Sequence, residues 1–191
     1  MPWATLTLTM AGITLSGPLM RRWIMAALSV CLVGAFAHAA AAPLSLPVET
    51  LDGKALQLPA AWPPQPVLLI VGFSRASREP CRAWSERWQA EPVGGLAVYQ
   101  IAVIDDVPGL LLGLVARGIR KGVPAALRGR FLLVTERGEA WRKLAAYAEP
   151  DAAYLLLFDA RHELRWRASE PLSEASWRAS RVAVEQTVAR P

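Results

Sequence analysis

"VLLIVGFSRASREPCRAW", residues 67–84, is the stretch whose reading sets the fold. From Val67 to Val71 it is apolar on both alternating faces, as expected of a central strand covered on both sides. Pro80 suits the first turn of a following helix, and Cys81, Trp84 and Trp88, three and four residues apart, fall on one helix face. A buried strand that hands over to a helix is the repeating step of an α/β domain.

Upstream, "SLPVETLDGKALQL" places Asp52-Gly53 between two short stretches, a hairpin signal, and the prolines of "AAWPPQP" make a stiff connector. Downstream, Leu96 to Ile104 reads as a second buried strand. Asp105 and Asp106 then read as caps for a helix that begins near Val107-Pro108, with metal binding the weaker option. That helix carries Leu110, Leu111, Leu114, Val115 and Ile119, has Arg117, Arg120 and Lys121 in its last turn against the negative end of the helix dipole, and meets Gly122 at its end. A strand over Phe131 to Thr135, a short helix, a hairpin of Ala153 to Phe158 with Glu163 to Arg167, and a helix over Pro171 to Val188 complete the chain. The expected fold is therefore α/β, a mixed sheet flanked by helices with an N-terminal hairpin.

The N-terminus is a separate matter. "MRRWIMAALSVCLVGAFAHAAAAP" from Met20 has two arginines, an apolar run and small residues around Ala37-His38-Ala39 and Ala42, the pattern of an export signal. Residues 1–42 are read as an N-terminal extension and signal peptide, with a mature start near 40–43 and translation from Met1 or Met20. Residues 43–191 form one expected domain. Trp23 to Ala42 is also long enough to span a bilayer, so an uncleaved anchor stays open. The protein is expected to be exported, to the periplasm or cell envelope if bacterial.

The full chain has a formal net charge of +5 at pH 7, two units of which belong to Arg21 and Arg22. The remaining cations are spread out and accompany no nucleic-acid motif, so no nucleic acid is expected. Cys31 leaves with the signal, so the exported part keeps Cys81 as its cysteine and His162 as its histidine. An intramolecular disulfide and a four-ligand zinc site of cysteine and histidine are both excluded. There is no G-x-S-x-G elbow and no phosphate loop; no cofactor and no metal are expected.

The layout resembles the thioredoxin-like superfamily, in particular its exported TlpA/ResA-like members. In these an "l.dG..v.L" hairpin leads to a buried strand ending in F-W-A-S-W-C-x-P-C-R. "LDGKALQLPAAWPPQPVLLIVGFSRASREPCR" follows that frame without a gap: Phe73, Pro80, Cys81 and Arg82 match, and Arg78 stands at the first cysteine. The resemblance implies that Cys81 matches the resolving cysteine while the attacking one is missing. It also places the family's cis-proline near Ala152 or Ala153, with Pro150 too early. "VPGLLLGLVARGIRKGVP" and "AYLLLFDARHELRWRASE" further resemble a redox-silent branch, the thioredoxin-like assembly factors of mitochondrial ATP synthase and their bacterial relatives. The likeness spans about Leu44 to Ser169, and His162 replaces a hairpin glycine.

Three readings of Cys81 remain open: a core residue beside Trp84 and Trp88, a thiol-dependent oxidoreductase or peroxidase acting with an external thiol, or a pairing with another molecule. Arg78 and Arg82 are candidate binding residues, since a guanidinium at a helix start can hold a carboxylate or phosphate; as a plain reading they are solvated. Trp84, Trp88, Trp141, Trp166 and Trp177 read as core at their spacings, with a partner surface as the rival. The expectation leans away from an enzyme. It favours a protein that binds an unidentified protein partner, a membrane complex among the options, with membrane contact only through an uncleaved anchor.

Overall fold

The computed structural model describes residues 45–190. The expected signal, its cleavage region, the two start positions and Cys31 lie outside the described residues.

Strands β1 (Leu46–Thr50) and β2 (Ala55–Leu58) form the expected hairpin, with Leu46 opposite Leu58 and Val48 opposite Leu56. Gly53 sits in its turn at φ +83°, a backbone that costs glycine nothing. β3 (Val67–Gly72) pairs in parallel with β4 (Ala97–Val103) and antiparallel with β6 (Ala153–Phe158); Leu69 lies between Tyr99 and Leu156. β5 (Phe131–Val134) runs parallel to β4 and joins the hairpin through β1, while β7 (Leu164–Ala168) closes the other side against β6. The sheet order is β2-β1-β5-β4-β3-β6-β7, a mixed seven-stranded sheet.

Every residue of β3 and β6 is buried, which requires cover on both faces. On one face Leu68, Ile70, Leu155 and Leu157 pack with Cys81, Trp84 and Trp88 of α1 (Arg78–Ala90) and with Trp177 and Val184 of the last helix. On the other, Val67, Leu69, Val71 and Leu156 pack with Trp62, Phe73, Tyr154 and Trp141. Helix α2 (Gly109–Gly122) follows β4, and a 3₁₀ turn (Ala125–Arg130) leads to β5. The short α3 (Gly138–Ala145) and α4 (Glu174–Val188) follow β5 and β7. The four tryptophans Trp84, Trp88, Trp141 and Trp177 are core residues, whereas Trp166 is half-buried.

Some details depart from expectation. Asp105 and Asp106 do not cap α2: its N-cap is Pro108, without a side-chain hydrogen bond. The Asp105 carboxylate is claimed instead by Arg142 from α3, where two N–H donors compete better than one helix start. α4 begins at Glu174 rather than Pro171, because Ser173 and Ser176 cap each other's backbone N–H. His162, in the β6–β7 turn at φ +64°, rests edge-on against Trp62 with its Nε2 buried.

Candidate functional site

The end of β3, the start of α1 and the segment before β6 meet at one place. Chain entry to α1 is fixed by a serine pair. Ser77 N–H donates to Ser74 Oγ (3.0 Å) and Ser77 Oγ donates to the Ser74 carbonyl (2.8 Å), closing the turn on itself. Ser74 Oγ in turn donates to Asp151 Oδ1 (3.1 Å). This bond ties the helix start to the residue before Ala152 and Ala153, near which the resemblance places a proline. The cis peptide among the described residues is Leu58–Pro59, in the distant connector after β2.

Arg78 is the first residue of α1 and Cys81 the fourth, one helical turn inward. Their environments diverge. Cys81 is 2% exposed, enclosed by Trp84, Ser77 and the sheet. Gly72 closes the thiol from the sheet side: a Cβ there would come within 2.6 Å of Ser77 Oγ and 3.0 Å of Cys81 Sγ. Burial pushes the Cys81 pKa up to about 12, and the Ser77 side chain opposes only part of that effect. At neutral pH the group is a thiol, which is neither the nucleophile nor the metal-binding form of cysteine.

Arg78 is exposed, and its guanidinium reaches across to the C-terminal end of α2, against Gly122. The backbone carbonyls there carry the negative end of a helix dipole, a favourable seat for a cation. Arg128 reaches the same end, donating from Nε to the Val123 carbonyl (3.2 Å). Arg82 points elsewhere: it is held by Glu79 and by Glu86 Oε1 (3.3 Å) on its own helix. The structure therefore separates Arg78 from Arg82, and the charge of Arg82 is already matched.

A second cluster beside the first was not read from the sequence. Arg142 donates to both Asp105 oxygens (3.0 and 3.1 Å) and its guanidinium lies over Phe73 (5.9 Å) and Tyr147 (6.0 Å). Gly138 leaves room for this pair, since a Cβ would overlap the Asp105 carboxylate. Ala146, left-handed at φ +50°, ends α3 and turns Tyr147 back onto Phe73 (ring centroids 5.0 Å). Tyr154 completes the stack, and its hydroxyl accepts from the N–H groups of Ala148 (2.9 Å) and Glu149 (2.7 Å). Asp105 and Arg142 stand 37 residues apart, and no local pattern announces such a pair. Among the described residues no group of histidine, cysteine and carboxylates is arranged for a metal ion.

No family model matches the sequence, and no curated protein matches it. Several solved structures do. One, assigned as a thiol-disulfide oxidoreductase from Bacteroides vulgatus, has 11% identity and a TM-score of 0.53, covering 80% of this chain and 93% of that one. Another, assigned to electron transfer in Aquifex aeolicus VF5, has 9% identity and a TM-score of 0.53, covering 76% and 94%. BsSco, a member of the Sco family of cytochrome c oxidase assembly proteins, has 10% identity and a TM-score of 0.52, covering 78% and 94%. At such identities the likeness is one of fold. With the observed sheet order it defines the class: this chain has a thioredoxin-like α/β fold.

Proposed function

We propose that this is an exported thioredoxin-like protein without dithiol chemistry, which acts by binding another protein as an accessory, chaperone-like or assembly factor of the cell envelope. One observation carries the reading: the helix-start position that family enzymes give to an attacking thiol is held by Arg78, and the remaining cysteine is sealed behind Gly72 and Ser77. A helix start lowers the pKa of an exposed thiol, whereas burial here drives Cys81 the other way. The fold is also used by a member of a family of cytochrome c oxidase assembly proteins, so the scaffold is compatible with assembly work. The exposed Arg78, seated on the end of α2, is the binding residue this reading favours.

The test is alkylation of Cys81 in the folded protein across pH. The expected result is slow modification that accelerates only in denaturant. Rapid reaction at neutral pH, with an apparent pKa below that of free cysteine, would overturn the reading in favour of a thiol enzyme that uses Cys81 with an external thiol. In parallel, Arg78→Cys is expected to oxidise to a disulfide with Cys81, as the frame across "FSRASREPC" requires. A pair that stays reduced under oxidising conditions would reject that frame.

A further inference from the structure

Helix α2 is the least buried of the helices, with no fully buried residue. It rests on Leu51, Phe131 and Leu133 through Ala116, Ile119 and Val123, all near its C-terminal half. In its N-terminal half Leu112 and Val115 are half-buried, while Leu110 is 100% exposed, Leu114 64% and Leu111 49%. Large apolar side chains left in water next to one another mark a contact surface.

The outward stripe of the helix continues in a different chemistry. Leu110, Leu114, Arg117 and Lys121 follow at spacings of four, three and four, which aligns them on one side. Arg120 pairs with Asp52 (2.6 Å), while Arg117 and Lys121 carry no ion pair among the described residues. Residues 107–135 contain no Asp or Glu at all, against five cations: Arg117, Arg120, Lys121, Arg128 and Arg130.

We infer that α2 docks the protein on an anionic lipid surface, with Leu110, Leu111 and Leu114 inserted below the headgroups and Arg117 and Lys121 paired with lipid phosphates. Leucines joined to cations on a helix that carries no acidic residue of its own are the composition of interfacial helices. Protein hot spots favour Trp, Tyr and Arg seated in pockets and are poor in leucine. Here the leucines project from a convex helix whose glycines 109, 113 and 118 have open space around them. With 14 residues α2 is too short to cross a bilayer, so its own contact is peripheral. The inference goes beyond the proposed function and holds whatever the reactivity of Cys81.

The full chain contains the apolar residues 23–42, which can bring it to any vesicle, so the readout must be local to α2. In a Cys31→Ser background, Leu114→Cys carries a nitroxide label, and its depth is measured by collision with oxygen and with a water-soluble nickel chelate. On vesicles of 30% phosphatidylglycerol in phosphatidylcholine, the label is expected to lie below the headgroups. On pure phosphatidylcholine it is expected to stay in water. Adding Arg117→Glu and Lys121→Glu is expected to lower the inserted fraction on anionic vesicles by more than about tenfold. A label that stays water-accessible on anionic vesicles while the chain is bound overturns the inference. So does insertion that ignores lipid charge, or a label shielded without lipid as protein concentration rises, which would assign the face to a second copy.

Discussion

Helices α1 and α2 begin as equals and end as opposites. Each follows a strand of the parallel β3–β4 pair, β3 fully buried and β4 partly so, and they differ by one residue in length. α1 buries Cys81, Trp84 and Trp88 in the sheet, with Trp88 and Trp177 meeting at 4.6 Å, and it exposes charge. α2 touches the sheet with small and β-branched side chains and leaves Leu110, Leu111 and Leu114 outside. An apolar helix is therefore no guarantee of a core helix: what decides is how much sheet lies beneath it. α1 crosses the centre of the sheet, over β3 and β6, while α2 rests on β5, the end of β4 and Leu51 of the β1–β2 turn.

The contrast can be broken most directly by cutting one large side chain from each helix. Trp84→Ala is expected to cost about 3–5 kcal/mol, because the cavity adds to the lost burial. Leu114→Ala is expected to stay within about 0.5 kcal/mol. Urea unfolding of both variants checks this, and a comparable cost at both positions would erase the distinction.

A smaller effect is expected where α3, on the other face of the sheet, is pinned to the loop before α2. Asp105→Ala leaves Arg142 without its bidentate partner in a site about one-fifth exposed, and is expected to cost about 1–3 kcal/mol. Gly138→Ala, which pushes a methyl group into the same carboxylate, should match it in direction. Hydrogen exchange is expected to quicken in α3 while α1 keeps its protection.

The smallest effect is expected from pH. Burial pushes the Cys81 thiol up to about 12 in the folded chain, against an ordinary 9.0 when unfolded. Between these values the unfolded chain has released a proton that the folded chain still holds, so stability falls as pH rises. The loss is about 1.4 kcal/mol at pH 10, and none of it appears below about pH 8. Cys81→Ala should flatten this part of the pH profile, which chemical denaturation at pH 8 and pH 10 would detect.

Much of this was legible in the sequence because it is local or periodic. The run from Val67 to Val71 needs no distant partner to be recognised as a doubly covered strand, nor do Asp52-Gly53 and the spacing of Cys81, Trp84 and Trp88 as a hairpin and a buried face. The geometry at Asp105 was not legible, since its partner lies on another helix and the space it needs comes from a glycine that carries no sign of its purpose. The orientation of α2 was hidden for another reason: Leu110, Leu111, Leu114, Val115 and Ile119 span half of a helix's circumference. Periodicity cannot choose which of them turns inward.

The tight contact of Gly72 with Ser77 and Cys81 has a consequence in time as well as in space. Insulation of the sulfur exists only once β3 and α1 have come together. Before that, on an unfolded chain, Cys81 is an ordinary reactive thiol, open to any disulfide or peroxide it meets. Wherever an oxidant is present, the hazard of Cys81 is thus settled by a race between folding and oxidation, and a variant that folds slowly would reveal itself first as mixed disulfides rather than as lost stability.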